Sequence, residues 1–300
     1  AAKPMIGRTP PSIRVMRPIR DGVIADVEAA AKMLTIFIRR ALAQPTLFSP
    51  RLLICVPAET TAVEQRAIEE VARYTGARHV QFIEEPLAAA VGVGIKTEAA
   101  CASAIIDIGA ETVEFAVLNL GGMMRAKTWR TGGRAMDRAI ARHLRENRGL
   151  EVGEETAEMI KRALGSAAPH QGELFIEAGG RSLETMRPAR IGVTSAEVQT
   201  VLTPVVAEIV RAVTTSLEEL PPEIAADLIE SGVMLTGGGA QLPGLPERLS
   251  QEIGLMVCLT ANPTLAAVTG AARILWPDAT ALGMRSLIEP IASNATATPD

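Results

Sequence analysis

Apolar positions along the chain fall into two periods, and the periods predict the elements. Ala104 to Ile108 is an unbroken apolar run interrupted only by Asp107. Thr112 to Leu118 alternates, with Val113, Phe115 and Val117 on one face, and Met123 to Trp129 forms a third extended run. Gly109-Ala110-Glu111 and Gly121-Gly122 separate these runs, so the three strands read as a β-meander. A helix follows from about Arg134 to Arg148. Upstream, Ile13 to Ile19 is extended and Asp21-Gly22 turns. Asp26 then caps a helix to about Ala41, with Val27, Ala30, Ala31, Leu34, Ile38 and Leu42 on one face. Arg51 to Val56 and His79 to Glu84 are strands. Between them Thr61 and Glu64 form a capping box for a helix to Tyr74, and Pro86 opens a small-residue helix after the second strand. Strand–helix–strand–helix order predicts parallel strands with crossover helices.

Downstream, Gly149 to Gly192 is polar and glycine-rich and reads as an inserted subdomain. It holds a helix over Glu155 to Leu164 and a short strand over Glu173 to Ile176. Thr194 caps a long helix to about Glu219, and Glu223 to Glu230 is a helical turn or two. Gly232 to Leu235 is a strand, Leu245 to Ile253 a helix, Leu255 to Leu259 a strand and Thr264 to Ile274 a last helix. The Ala/Thr/Ser tail from about Ser293 is expected to be disordered. The two halves repeat one another if the first lacks an opening meander. Two such lobes would face each other across a cleft with a glycine turn on each wall, which suits a phosphate-bearing ligand. An Asp beside a glycine turn, as at Asp107, suits a metal-bound phosphate, but on the motif alone an ordinary hairpin is the stronger reading.

Composition narrows the classes. Apolar residues make up 48% of 300 positions, enough for a sizeable core, and the formal net charge is −4. Lys and Arg are scattered and aromatics are scarce, so neither a basic stripe nor a stacking platform for nucleic acid is present. Cys55, Cys101 and Cys258 sit in or beside apolar runs without short spacing. They read as buried free thiols in a reducing compartment rather than disulfides or a zinc site. His79, His143 and His170 are far apart. No signal peptide and no membrane-spanning apolar run is expected, which makes the cytoplasm the default and leaves a peripheral membrane contact open.

Collinear motifs add a resemblance. IGRTP (Ile6–Pro10), RPIRDGVIADVEAAAKML (Arg17–Leu34), ICVP (Ile54–Pro57), FIEEPLAAAVGVG (Phe82–Gly94), GGRAMDRAI (Gly132–Ile140), GEETAEMIKRALGSA (Gly153–Ala167) and LTGGGAQLPGL (Leu235–Leu245), with the DIG meander, cover nearly all the chain. Together they resemble the MreB/Mbl family of bacterial actin-like rod-shape-determining proteins. The resemblance implies the α/β actin/Hsp70-like fold, with ribonuclease-H-like lobes around ATP and Mg2+. It also implies membrane-bound filaments that guide peptidoglycan synthesis. The first lobe would span 1–98, completed by 263–285; the second would span 99–262 with an insertion at about 149–193; residues 286–300 would be a tail. The family's opening hairpin with its first phosphate loop, an Asp-x-Gly-Thr-type turn, has no counterpart before Ile6, so the first lobe is expected to be incomplete at its N-terminus.

Residue by residue, the resemblance implies that Glu85 orients the attacking water, although on its own it reads first as a surface acid at a helix N-terminus. Asp107 matches the acid that holds Mg2+ through water. Gly109, Ala110, Glu111 and Thr112 match the second phosphate loop. Glu158 and Lys161 match a pair near the ribose and base; read alone, they are a solvated salt bridge. Gly237, Gly238, Gly239 and Ala240 match the loop under the adenosine, where only glycine lets backbone come so close. Leu47 and Phe48 match a hydrophobic loop that enters the bilayer, or else begin the next strand. Each gains about 1.5–3 kcal/mol on full burial, and a filament multiplies a marginal gain. The family has Gly-Gly-Gly-Thr where this chain has Gly109-Ala110-Glu111-Thr112, and Arg134-Ala135 replaces an acidic pair. A carboxylate at Glu111 would repel a phosphate, and Arg134 would offset it only if close. The implied function is a nucleotide-binding filament protein, partnered by itself or by a full-length relative and the wall-synthesis machinery. The alternative is a degenerate, non-hydrolysing partner of such filaments. A chaperone or sugar kinase of the same superfold is a third, weaker reading.

Overall fold

The structure, a computed structural model, describes residues 3–20, 22–42, 49–169 and 172–275. The expected turn residue Asp21, the loop residues Leu47 and Phe48, His170 and the tail lie outside them. In chain order the elements are β1 (Ile19–Arg20), β2 (Val23–Ile24), α1 (Val27–Ala41), β3 (Arg51–Val56), α2 (Ala62–Tyr74), β4 (His79–Glu84) and α3 (Glu85–Val93). Then come β5 (Ser103–Ile108), β6 (Val113–Asn119), β7 (Gly122–Trp129), α4 (Gly133–Arg148), β8 (Leu150–Glu151), α5 (Glu154–Leu164), β9 (Phe175–Ser182) and β10 (Pro188–Thr194). The last are α6 (Ser195–Glu218), α7 (Pro222–Ser231), β11 (Val233–Thr236), α8 (Leu245–Ile253), β12 (Val257–Leu259) and α9 (Ala266–Leu275).

The organising layer is a five-stranded sheet, β12-β11-β5-β6-β7. β5, β6 and β7 form the antiparallel meander, and β11 joins β5 in parallel with Val233 opposite Ala104 and Thr236 opposite Asp107. Both faces are covered. Ile106, Ile108, Phe115 and Val117 pack with α4, α5, α6 and α8 on one side; Ile105, Ala116 and Leu118 pack with α3 and α9 on the other. Double coverage is why β5 reads as a continuous apolar run rather than an alternation.

α3 and α9 cross backbone to backbone. A Cβ at Gly92 would lie 1.9 Å from the Ala266 carbonyl oxygen, and one at Gly270 1.7 Å from that of Ala88. Arg273 then donates to the Val91 and Gly92 carbonyls, at 2.7 and 3.1 Å, satisfying the end of α3. Further out, β3 and β4 pair in parallel beside α1 and α2, which meet at Ala30, Ala31 and Val71. Asp26 accepts from the Ala29 N–H at 2.9 Å, and the Thr61–Glu64 capping box is complete.

Three expectations change. The inserted region holds an eight-residue β9 in a hairpin with β10, not one short strand. Its alternation is hidden by Gly179, Gly180 and exposed polar positions, with Ala178 the one buried residue of β9. α6 is, at 24 residues, long and apolar enough by length and composition to cross a membrane. It instead buries Val198, Leu202, Val206, Ile209 and Val213 in the core, as a central helix does. Cys101 is exposed rather than buried; Cys55 and Cys258 are half-buried, and burial pushes the Cys55 thiol up to about 11.

Candidate nucleotide site

The turn between β5 and β6 and the start of α4 are built as one piece. Gly133 and Arg134 donate backbone N–H groups to the Gly109 and Ala110 carbonyls at 3.1 and 2.8 Å. Gly132 is wedged there: a Cβ would stand 2.9 Å from the Gly109 oxygen. On the other side of β5, the strand-to-turn path of β11 presses on the same turn. A Cβ at Gly237, whose φ is +92°, would lie 2.4 Å from an Asp107 carboxylate oxygen, and one at Gly239 2.5 Å from Ile108 Cγ2. Glycine at 237 and 239 is therefore required by this close approach of the chain to itself. Gly238 differs: a Cβ there would meet only Thr264 Cγ2, at 3.7 Å.

Between these two turns lies a cavity of about 630 Å3, of the size that holds small-molecule ligands. Gly109, Ala110, Gly133 and Arg134 form one end, Gly238 and Gly239 the floor, and Glu158 and Lys161 of α5 the wall. Lys161 is held in place: it donates to the Gly133 carbonyl at 2.8 Å and pairs with Asp137 at 2.8 Å. Burial raises the Asp137 carboxyl above its usual range although Lys161 opposes the shift. Glu158 and Lys161 do not pair with each other. Glu158 instead takes Lys3, whose hydrogen bond holds that carboxyl below the usual range. Two further ion pairs, Arg8 with Glu155 at 2.7 Å and Arg17 with Glu154, tie the segment 3–17 across the first turns of α5. Arg17 and Lys3 line the cavity as well.

Of the positions the sequence singled out, Gly109, Ala110, Glu158, Lys161, Gly238 and Gly239 line this cavity. Ala240 is buried in the core, and Gly237 serves the turn behind it. Glu111 and Thr112 sit beside the cavity. Glu111 is paired with Arg134, the contact that the sequence left open, and reaches toward the Gly22 N–H at 3.4 Å.

Glu85 and Asp107 belong to an adjacent acidic group. Glu85 begins α3; Asp107 faces Glu114 directly across the β5–β6 ladder. Glu114 is 1% exposed and accepts from the Ala58 N–H at 2.8 Å and the Thr128 hydroxyl at 2.9 Å. Burial, then the neighbouring Glu85 charge, pushes Asp107 up to about 7 and raises Glu114 as well.

The sequence reading passed over Glu114 and Asp137. Glu114 was visible as an acid between Val113 and Phe115 in a strand buried on both faces. Asp137 was visible as the acid following Gly132-Gly133 by one helical turn.

The bare backbone at Gly238 and the fixed cations Lys161 and Arg134 fit a nucleotide. For Mg2+, no group of three His, Cys, Asp or Glu side chains among the described residues is placed to hold a metal. A Mg2+ ion here would have to be held by a bound phosphate rather than by a cage of protein side chains, with Asp107 the carboxylate that would assist.

The comparisons with known proteins agree with this geometry. The MreB/Mbl protein family model matches residues 1–280. The cell shape-determining protein MreB of Escherichia coli (strain K12) is 42% identical over 275 residues, covering 91% of this chain and 79% of its own. The cell shape-determining protein Mbl of Bacillus subtilis (strain 168) is 38% identical over 262 residues, covering 87% and 79%. Among solved structures, MreB5 of Spiroplasma citri is 28% identical. Its ADP-bound crystal structure covers 94% of this chain and 85% of its own with a TM-score of 0.85; the AMPPNP-bound one covers 95% and 85% with 0.86. Sequence over nearly the whole described length and backbone alike therefore lead to one conclusion: this chain belongs to the MreB/Mbl family of bacterial actin-like cytoskeletal proteins.

Proposed function

We propose that this chain binds an adenine nucleotide in the cavity beneath α5 and assembles, with itself or another MreB-type protein, into filaments. These would lie at the inner face of the cell membrane and serve cell shape through the wall-synthesis machinery. The cavity carries the reading: bare glycine backbone on its floor, a phosphate-sized end at Gly109–Ala110 and Gly133–Arg134, and a locked lysine on its wall. The ADP- and AMPPNP-bound MreB5 structures and the cell shape-determining names of the relatives support it. In this reading Lys161 and Glu158 flank the ribose and base, and Gly238 and Gly239 lie under the adenosine, with Gly237 and Ala240 holding that loop. Gly109, Ala110, Glu111 and Thr112 bound the phosphates. Bound Mg2+ would neutralise phosphate charge, with Asp107 as its carboxylate. Glu85, in the first turn of α3, orients a water by accepting its hydrogen bond. Leu47 and Phe48 would supply the membrane contact.

The Glu111–Arg134 pair favours a second reading, a non-hydrolysing partner of MreB-type filaments, because it sets a carboxylate against the phosphate end. Gly238→Leu tests the nucleotide reading. Its backbone is ordinary, with φ −66° and ψ −32°, and its side chain would enter the open cavity. Thermal stability should stay close to wild type, while calorimetric binding of ADP falls at least tenfold. Unchanged ADP binding by a folded Gly238→Leu protein would refute the site.

A further inference from the structure

We propose that the Glu111 carboxylate is a built-in tenant of the terminal-phosphate subsite, so that this cleft holds a nucleoside diphosphate and turns away the triphosphate. The inference rests on the nucleotide reading above and goes beyond it to which nucleotide the site selects.

Part of the backbone at this end of the cavity is already engaged. The first N–H groups of α4 are spent on the Gly109 and Ala110 carbonyls. Two donors here, the Arg134 guanidinium and the Gly22 N–H, come from separate segments of the chain. Both face Glu111: Arg134 pairs with one carboxylate oxygen, and the Gly22 N–H lies 3.4 Å from the other. Thr112 packs beside Gly22, so the β5–β6 turn and the β1–β2 hairpin touch at this point. The Glu111 side chain is 15% exposed and that of Arg134 29%, so the pair is shielded from bulk water.

A charge-assisted pair in such a place is strong. A phosphate that reached past Arg134 would compete with Glu111 for these two donors. It would also meet the Glu111 charge in a half-dry cleft, where like charges repel far more than in water. A shorter polyphosphate has no such conflict. Arg134 lines the cavity and carries five N–H donors, of which one nitrogen, Nη1, is engaged by Glu111. The rest of the fork can hold a second phosphate while Glu111 stays in place.

Calorimetry of the full chain with Mg2+ and either ADP or AMPPNP tests this. The wild type should bind ADP at least tenfold more tightly than AMPPNP. Glu111→Gln, nearly isosteric and uncharged, should raise AMPPNP affinity at least tenfold and move ADP affinity less than threefold. The double variant Glu111→Gln/Arg134→Gln should lose that gain, because the freed guanidinium is what holds the added phosphate. Equal binding of the two nucleotides by the wild type would overturn the inference and leave the nucleotide reading standing; so would a Glu111→Gln effect of equal size on both. Absence of heat with either nucleotide, in wild type and variant alike, would bring down both.

Discussion

Asp107 and Glu114 are two acids opposite each other on neighbouring strands, in a place where burial leaves little water to stabilise their charge. Asp107 is pushed from 3.8 up to about 7 in the folded protein, so the folded chain keeps a proton that the unfolded chain releases. The stability that this proton contributes is therefore fully present below pH ~4 and is lost as pH rises toward ~7, by on the order of 2–4 kcal/mol. The urea midpoint of the wild type should fall between about pH 5 and about pH 8, and Asp107→Asn should flatten that fall and exceed the wild type at the upper pH. A wild-type midpoint that rises or stays level across that range would contradict the assignment. At this scale the sequence named the individual groups: Asp107, Lys161, the glycine run and the Glu111–Arg134 pair of departures. It did not show that Lys161 chooses Asp137 over Glu158, because helical spacing counts only neighbours on the same helix, and Asp137 arrives from another one.

Among elements, α3 and α9 cross backbone to backbone, and both of the glycines at the crossing are there for space. A methyl group at Gly270 would fall on the Ala88 carbonyl, which is backbone and cannot rotate away. Gly270→Ala should therefore cost more than an ordinary overpacking change, about 3 kcal/mol or more, read as a drop in thermal midpoint. A loss below about 1 kcal/mol would show that the helices do not approach so closely. Helices and strands with strong apolar periods were legible to within a residue or two, including α1, α2, β3, β4, α8 and the meander. The β9–β10 hairpin was not. Its strands bury little, so the alternation that marks a half-buried strand is weak, and backbone pairing alone defines them.

For the whole molecule, the contacts of residues 3–17 with α5 join segments more than 130 residues apart. Arg8, Glu155, Lys3 and Glu154 are all substantially exposed partners in these pairs, or nearly so, and such pairs contribute little singly and are screened by salt. Raising ionic strength from about 0.05 M to about 0.5 M should speed amide hydrogen exchange in residues 3–17 and leave the five-stranded sheet unchanged. An equal response in both regions would show that the segment is held by packing instead. The link between β6 and the segment that precedes α2 is different in kind. Glu114 is buried where it accepts the Ala58 N–H, so that link should persist in salt.

The sequence by itself determined most of the local structure, the antiparallel meander, the parallel pairing of β3 with β4, the family and the residues with chemical character, because period, caps and turn residues are local properties. Tertiary structure decided what those residues face. It turned Gly237 and Gly239 into spacers for the chain and left Gly238 bare to the cavity. It also paired Glu111 with Arg134 and set Glu114 against Asp107. The physical reason is that pairing, desolvation and close approach depend on distances between segments far apart in the chain, which no local pattern encodes.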